Sequence, residues 1–410
     1  MNENNGSVEA ARTAAQAAVE AAGGGHAAGA SPSITAPANC IRAYRHGVDS
    51  LYLSYAGAIN PRLAIDLQEC KVLAQASNER LVATAGIDIG DHRLTVLPRG
   101  RGRFAFVLED NWFSIQLSNA SAGVLPLALV QIRSEYLTAV GPEEAIATIT
   151  QLVAGMGQVS GPPKISRIDL FTDFSSGLDL AGLPGSHWVK RSKKRAIHEE
   201  CDQVTGISFG SGNEVSGRLY DKTREIQKSG KDYLKPLWTL QGWDGVAEVW
   251  RMEFQIRREG LPEAMLGPAL EALPLCANLW RYLCEEWLRL AIPSDSDDTR
   301  SRWDTHPFWD GMARVWDADP DAPPLTRVPK TRLPSDDYLF RAGIAGLTSF
   351  MAREGIGDFG HGLGEFLNAL EAYYENPARQ FPEGLEDYIR RKTRAKARRY
   401  NVRMDGHERE

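Results

Sequence analysis

Apolar and polar residues alternate with a period of two over several short stretches of the chain, the pattern of half-buried strands. Val48 to Tyr55, Phe104 to Leu108, Trp112 to Leu117 and Ala128 to Arg133 show it in the first part. Between them, Pro61 to Gln75 has helical spacing. Gly141-Pro142-Glu143-Glu144 opens a second helix running towards Met156, with acidic residues in its first turn, where the helix dipole favours them. After the Gly161-Pro162-Pro163 break the strand pattern returns over Ile165 to Phe174, Gly206 to Phe209, Gly217 to Asp221 and Ala247 to Arg257. A helical stretch from Pro262 to about Ala291 follows, with Leu279, Leu283 and Trp287 spaced four apart. The pattern predicts an α+β fold of two related antiparallel-sheet-plus-helix units with a helical C-terminal extension. The expected divisions are a disordered tail over 1–39, an N-terminal half over 40–160 and a second half over 161–292. An acidic linker over 293–330 and a helical region over 331–410 with a basic end complete the chain.

The tail assignment rests on composition, because the stretch GGGHAAGASPS has too little apolar surface to hold a fold. The linker rests on charge: residues 294–324 carry eight Asp against three Arg and end in Ala322-Pro323-Pro324. With 410 residues, 43% hydrophobic and 24% charged, the rest has ample material for a core. No apolar run reaches the roughly 18 residues of a membrane span, and the N-terminus lacks the layout of a secretory signal. A cytoplasmic protein without membrane contact is expected. The five cysteines form no CxxC, and the eight histidines form no HxH, HxxxH or HExxH. A disulfide scaffold, a zinc ribbon and histidine-based metal chemistry with local spacing are therefore not expected. The net charge of -6 counts against a small basic DNA-coating protein, although binding depends on where the positive charge sits.

Three strands of the second half concentrate charge on one face. On Ser166 to Phe174, alternation places Arg167, Asp169, Phe171 and Asp173 together. Two carboxylates on one strand face, four residues apart, suit a hard cation such as Mg²⁺ or Mn²⁺, and they equally suit an exposed acidic face. The hairpin Gly206 to Lys222 returns on a strand that presents Arg218, Tyr220 and Lys222. Free tyrosine, with a pKa near 10, is a poor nucleophile at neutral pH, and nearby positive charge lowers the cost of phenolate. The third strand, Glu248 to Arg257, sets Arg251, Glu253, Gln255 and Arg257 opposite its apolar face. If these strands share a sheet, Glu253 converges with Asp169 and Asp173 to hold a metal that polarises a phosphodiester. Tyr220 then attacks phosphorus in line while Arg218, Lys222 and Arg251 stabilise the developing charge.

These residues resemble the replication initiation factor family, which takes in rolling-circle initiators of plasmids and filamentous phages and related relaxases. The resemblance is carried by three motifs in order. They are an R-x-D-L-x-x-D strand (Arg167 to Asp173), an R-[IVL]-Y-D-K strand after a Gly/Ser hairpin (Arg218 to Lys222) and an R-[VIM]-E strand (Arg251 to Glu253). Gly47 to Leu51 looks like the family's opening strand, and the likeness spans about 45–290. It implies a metal-dependent, site-specific DNA endonuclease and strand transferase. Tyr220 would be the nucleophile, Asp169 and Glu253 the first metal ligands and Asp173 a third, with Mg²⁺ or Mn²⁺ as cofactor. It implies nicking and rejoining of one strand at an origin hairpin or single-stranded site through a 5′-phosphotyrosyl bond. A host helicase and polymerase would be partners, and a homodimer fits the family. A relaxase nicking for conjugative transfer uses the same chemistry, and a non-catalytic origin-binding regulator could keep the same fold. Two basic stretches offer phosphate contacts. One is the loop Lys190, Arg191, Lys193, Lys194 and Arg195. The other runs from Arg390 to Arg403 with eight Lys/Arg and no acid.

Overall fold

A computed structural model describes residues 41–76, 85–120, 125–319, 325, 336–379 and 383–400. The tail expected over 1–39 lies outside these residues. The chain divides into two compact units, 1–327 and 328–410.

The first unit is built on one eleven-stranded antiparallel sheet. Its strands are β1 (Ile41–Tyr55), β2 (Gly86–Ile89), β3 (His92–Val96), β4 (Phe106–Glu109), β5 (Phe113–Leu117) and β6 (Ala128–Ile132), then β7 (Lys164–Ser176), β8 (Arg195–Glu200), β9 (Gln203–Phe209), β10 (Val215–Asp221) and β11 (Trp250–Arg257). Their order across the sheet is β8-β9-β10-β11-β7-β1-β6-β5-β4-β3-β2. Each half of the chain follows the same path. A long first strand lies at the centre, the last strand returns beside it, and the others form a meander outwards. The two long strands, β1 and β7, pair along almost their whole length, from Ile41↔Ser176 to Ser54↔Lys164. The two related halves are therefore joined in a continuous sheet.

One face of the sheet is apolar. Leu51 and Leu53 of β1, Ile168 and Leu170 of β7, Leu219 of β10, and Met252, Phe254 and Ile256 of β11 are all fully buried on it. Fully burying each such side chain contributes about 1.5–3 kcal/mol. Helices α1 (Pro61–Ala74) and α3 (Pro142–Met156) belong to this layer, and α2 (Ser134–Val140) lies between β6 and α3. Asn60 caps α1 by accepting from the Arg62 N–H at 2.9 Å, and Pro61 and Pro142 occupy first-turn positions where a missing N–H costs nothing. Ala145, Ile146, Ile149, Leu152, Val153 and Met156 form the buried stripe of α3.

Two segments differ from the sequence pattern. The helical stretch expected from Pro262 to Ala291 is broken into short turns. Only α6 (Cys276–Tyr282) is a regular helix of some length, followed by a π-turn over Leu283–Trp287 and a short strand, Leu288–Leu290. Pro268 and Pro274 each lack the N–H that a continuous helix needs. Leu279, Leu283 and Trp287 are nonetheless buried. The stretch expected as an acidic linker contains α7 (Pro307–Arg314), whose Phe308, Trp309 and Met312 are fully buried in the main core. The Trp309 indole donates to the carbonyls of Cys284 (2.8 Å) and Leu288 (3.0 Å), and the Trp280 indole to that of Met312 (2.9 Å). Eight aspartates in the sequence obscure this apolar anchor, and the boundary between the two units falls at 327/328, within the expected linker.

The second unit contains α8 (Asp336–Glu354), α9 (Phe359–Glu375) and α10 (Leu385–Tyr400). Phe350 of α8 and Phe366 of α9 meet edge to face at 5.4 Å. No helix among the described residues is long and apolar enough to cross a membrane.

Candidate active site

The opposite face of the sheet is polar across β7, β11 and β10, and the pairing register fixes which side chains meet there. Residues directly opposite on neighbouring strands share a face. One row runs Asp173, Arg251, Tyr220, Gly206; the next runs Phe171, Glu253, Arg218, Ser208. Asp169 lies one step further along β7, opposite Gln255. The β9–β10 hairpin that brings Tyr220 here closes through Gly210, at φ +70°, where a Cβ would stand 2.9 Å from the Val215 carbonyl oxygen.

Tyr220 donates its phenol hydrogen to Glu253 Oε2 at 3.0 Å. Arg218 donates to the other oxygen, Glu253 Oε1, and the same guanidinium nitrogen is 4.0 Å from Asp169 Oδ2. The two carboxylates thus lie within about 7 Å of each other, one hydrogen bond added to that distance. Arg167 grips Asp169 with both arms of its fork, Nε to Oδ1 at 2.8 Å and Nη2 to Oδ2, and stacks 4.7 Å from the Tyr52 ring.

The electrostatics differ from expectation at Tyr220. Burial, and then the Glu253 carboxylate, push its phenol well above the ordinary value; Arg251 opposes this without overcoming it. The flanking cations therefore do not make it acidic. Asp169 is 2% exposed. Burial pushes its carboxyl up to about 7, with Arg167 opposing and Glu253 adding to the rise.

The other predicted residues are placed differently. Asp173, wholly buried, accepts from Arg251 Nε at 2.5 Å and Nη2 at 2.8 Å and from the Trp238 indole at 3.0 Å. It stands in the row of Arg251, bonded to Arg251 and Trp238, and not with the Asp169–Glu253 pair that Arg218 links. Arg251 is 1% exposed. Its Nη1 donates to Asp49 at 2.5 Å, and its plane lies 4.0 Å from the Phe171 ring. Held on three sides, it locks β1, β7 and β11 together and has no edge free for a phosphate. Lys222 begins α4 (Lys222–Ser229), 3% exposed and paired with Glu225, its ammonium 5.6 Å from the Tyr220 ring. Burial, and then Arg251, lower its pKa. Arg218, whose side chain is 45% exposed, is the cation beside the two carboxylates that solvent reaches most readily.

The basic loop sits elsewhere. The short strand Trp188–Lys190 pairs with Leu288–Leu290, and Trp188 packs on Phe209 (5.0 Å) and Trp309 (5.2 Å) on the apolar side of the sheet. Lys190 bonds the Ser192 carbonyl at 3.2 Å, and Arg191 pairs with Glu286 at 2.7 Å. Lys193 and Lys194 are exposed, and Arg195 is half-buried at the start of β8. The loop is thus held against the layer opposite Tyr220.

Two residues that matter here escape the sequence pattern. Asp49 is the extra residue of a β-bulge between Val48 and Ser50, which aims it at Arg251. Trp238 reaches Asp173 from α5 (Leu234–Leu240), with which α4 forms a small apolar cluster of Tyr44, Ile226, Leu234, Trp238 and Val249. Neither residue carries a signal in spacing alone, because each depends on register or on a return of the chain.

Among the described residues no group of three or more His, Cys, Asp or Glu is arranged to hold a metal ion. Asp169 and Glu253 are linked through Arg218, and a cation shared between them would take the place of that guanidinium on Glu253 Oε1. Mg²⁺ bound by a pair takes its remaining ligands from water and phosphate.

No protein-family model matches the chain, and no curated protein sequence matches it. Among solved structures it is similar to a rolling circle replication initiator protein from Geobacillus stearothermophilus, at a TM-score of 0.38 and 12% identity, covering 67% of this chain and 95% of that one. Both figures are too low for that protein's role to transfer to this chain on structural grounds.

Proposed function

We propose that the chain is a metal-dependent, site-specific DNA-nicking and rejoining enzyme that initiates rolling-circle replication. The observation that carries this is the Tyr220 phenol, hydrogen-bonded at 3.0 Å to Glu253 on the polar face of the sheet, beside Asp169 and the partly exposed Arg218. A nucleophile joined to a carboxylate proton acceptor is what covalent catalysis by a high-pKa phenol requires. The ordered motifs of β7, β10 and β11 support the same reading.

Tyr220 Oη attacks the phosphorus of one strand. Its proton passes to Glu253 Oε2, the Oη–P bond forms, and the P–O3′ bond breaks. The 5′ end is left on Tyr220, and the 3′ oxygen takes a proton from solvent. The free 3′-OH then primes a host polymerase, with a host helicase opening the duplex. Arg218 neutralises the non-bridging oxygens as charge builds on them. Asp169 and Glu253 Oε1 would hold Mg²⁺ or Mn²⁺, which polarises the phosphodiester when bound. Arg251, Asp173 and Asp49 act behind this site by fixing the strands that carry it.

The test is incubation with supercoiled DNA carrying the sequences that flank the protein's own coding region, with Mn²⁺ or Mg²⁺. Nicked DNA bound covalently to wild-type protein and absent with Tyr220→Phe is the expected result. DNA binding without nicking in both proteins would instead identify a non-catalytic origin binder.

A further inference from the structure

Helix α10 lies outside the sheet unit and takes no part in the chemistry assigned to Tyr220. It has seven Lys/Arg in sixteen residues, and its acids, Glu386 and Asp387, are confined to the first turn. Its first turn is anchored. Leu385 and Tyr388 are half-buried, and the Tyr388 ring meets Tyr374 of α9 at 5.3 Å. From Arg390 to Lys396 every residue is exposed. Arg390 pairs with Asp387 at 3.3 Å, an exposed contact that contributes only about 0–1 kcal/mol; Arg391 grips the half-buried Glu383 with Nε at 3.0 Å and with Nη2.

The arrangement of the cations narrows the partner. Residues two apart on a helix stand about 200° apart. Arg390 and Arg394 therefore occupy one side of α10, Lys392 and Lys396 the opposite side, and Arg391 stands between them. A helix with cations on opposite sides has a counterpart in the major groove of duplex DNA. That groove is about 12 Å wide, close to the 10–12 Å diameter of a helix with its side chains, and a phosphate backbone forms each wall. Beyond Ile389 the helix has no large apolar stripe, which sets it apart from helices that lie in a membrane surface. Arg390 with Arg394, and Lys392 with Lys396, are like charges four residues apart, a spacing that destabilises an isolated helix and that a polyanion relieves.

We infer that α10 is a duplex-DNA docking element that grips the phosphate walls of a major groove independently of the nicking site. The inference stands apart from the function proposed for Tyr220.

The experiment measures binding of the full-length protein to a fluorescent 30-base-pair duplex of arbitrary sequence across a salt titration. A variant with Arg390, Arg391, Lys392, Arg394 and Lys396 all changed to Gln keeps helix propensity and removes the charge. Its affinity is expected to fall tenfold or more. Its log–log salt slope should shrink by about 3 or more, since each lost phosphate contact removes about 0.9. An unchanged thermal midpoint checks that the variant folds. Hydrogen exchange in the wild type should slow over 390–396 when duplex is added. Tyr220→Phe should retain wild-type affinity and slope, so loss of the nicking function leaves this result intact. Wild-type affinity and slope in the five-Gln variant would overturn the inference. So would tighter wild-type binding to phosphatidylserine vesicles, or to a 30-nucleotide dT strand, than to the duplex.

Discussion

The two halves of the sheet follow the same path, yet their polar faces differ sharply. In the first half, one row across the strands runs Tyr52, Gln131, Ser114, Glu109, Thr95. Its single carboxylate accepts from Ser114 at 2.8 Å and lies 3.6 Å from Arg133. In the second half, the two rows through Tyr220 and Arg218 hold an arginine locked between two aspartates and a glutamate bonded to a phenol. The architecture is shared, and the dense charge lies on the second copy, with Asp49 of β1 completing it. A fold repeated within a chain therefore says little about where function lies; the charged face does.

The sharpest way to break this contrast is at Tyr220. Tyr220→Phe should abolish covalent attachment to DNA, a loss of at least about a thousandfold in nicking rate. Stability should change by only about 1 kcal/mol, since one hydrogen bond is removed. Nicking assays and chemical denaturation together check both parts. The next largest effect is on folding. Arg251→Met leaves Asp173 and Asp49 buried without their cation and should cost about 3–5 kcal/mol. Ser114→Ala in the matching row of the first half should cost about 1 kcal/mol. Equal losses from these two variants in urea unfolding would erase the distinction between the faces.

A smaller effect concerns pH. The native pKa of Asp169, about 7, lies above the ordinary carboxyl value of 3.8, so the folded state holds this proton more tightly than the unfolded chain. Its contribution is most favourable below about pH 4 and is lost as pH rises through 7. Asp169→Asn should therefore raise the melting temperature relative to wild type at pH 8, and the gain should shrink towards pH 4. Mn²⁺ should raise the wild-type melting temperature at pH 8 and leave the variant unmoved. The smallest effect is expected at the basic loop. Arg191→Ala removes an exposed pair with Glu286 and should cost less than about 1 kcal/mol, with nicking unchanged, because the loop is held on the opposite side of the sheet.

Much of this was legible in the chain. Alternation located β7, β10 and β11 and sorted Asp169, Tyr220 and Glu253 onto a common kind of face, because a strand's period of two is a local property. Alternation does not give pairing partners, so it could not show that Asp173 faces Arg251 while Glu253 faces Phe171 and Arg218. Asp49 was hidden because a bulge shifts the period by one. Trp238 was hidden because α5 leaves the sheet and returns over it. The sign of the Tyr220 shift was also out of reach. Counting neighbouring cations omits burial and the Glu253 carboxylate, and those outweigh them. The anchor of α7 was masked by aspartates on its flanks, since net composition averages over the few residues that are buried.

The central claim is that Tyr220 becomes covalently joined to DNA. Its most direct test is mass spectrometry of tryptic peptides after the nicked complex is digested with nuclease. The expected result is a phosphonucleotide mass on the peptide containing Tyr220, present with Mn²⁺ or Mg²⁺ and absent in Tyr220→Phe. An adduct on another residue, or nicking by the Phe variant at the wild-type rate, would contradict it.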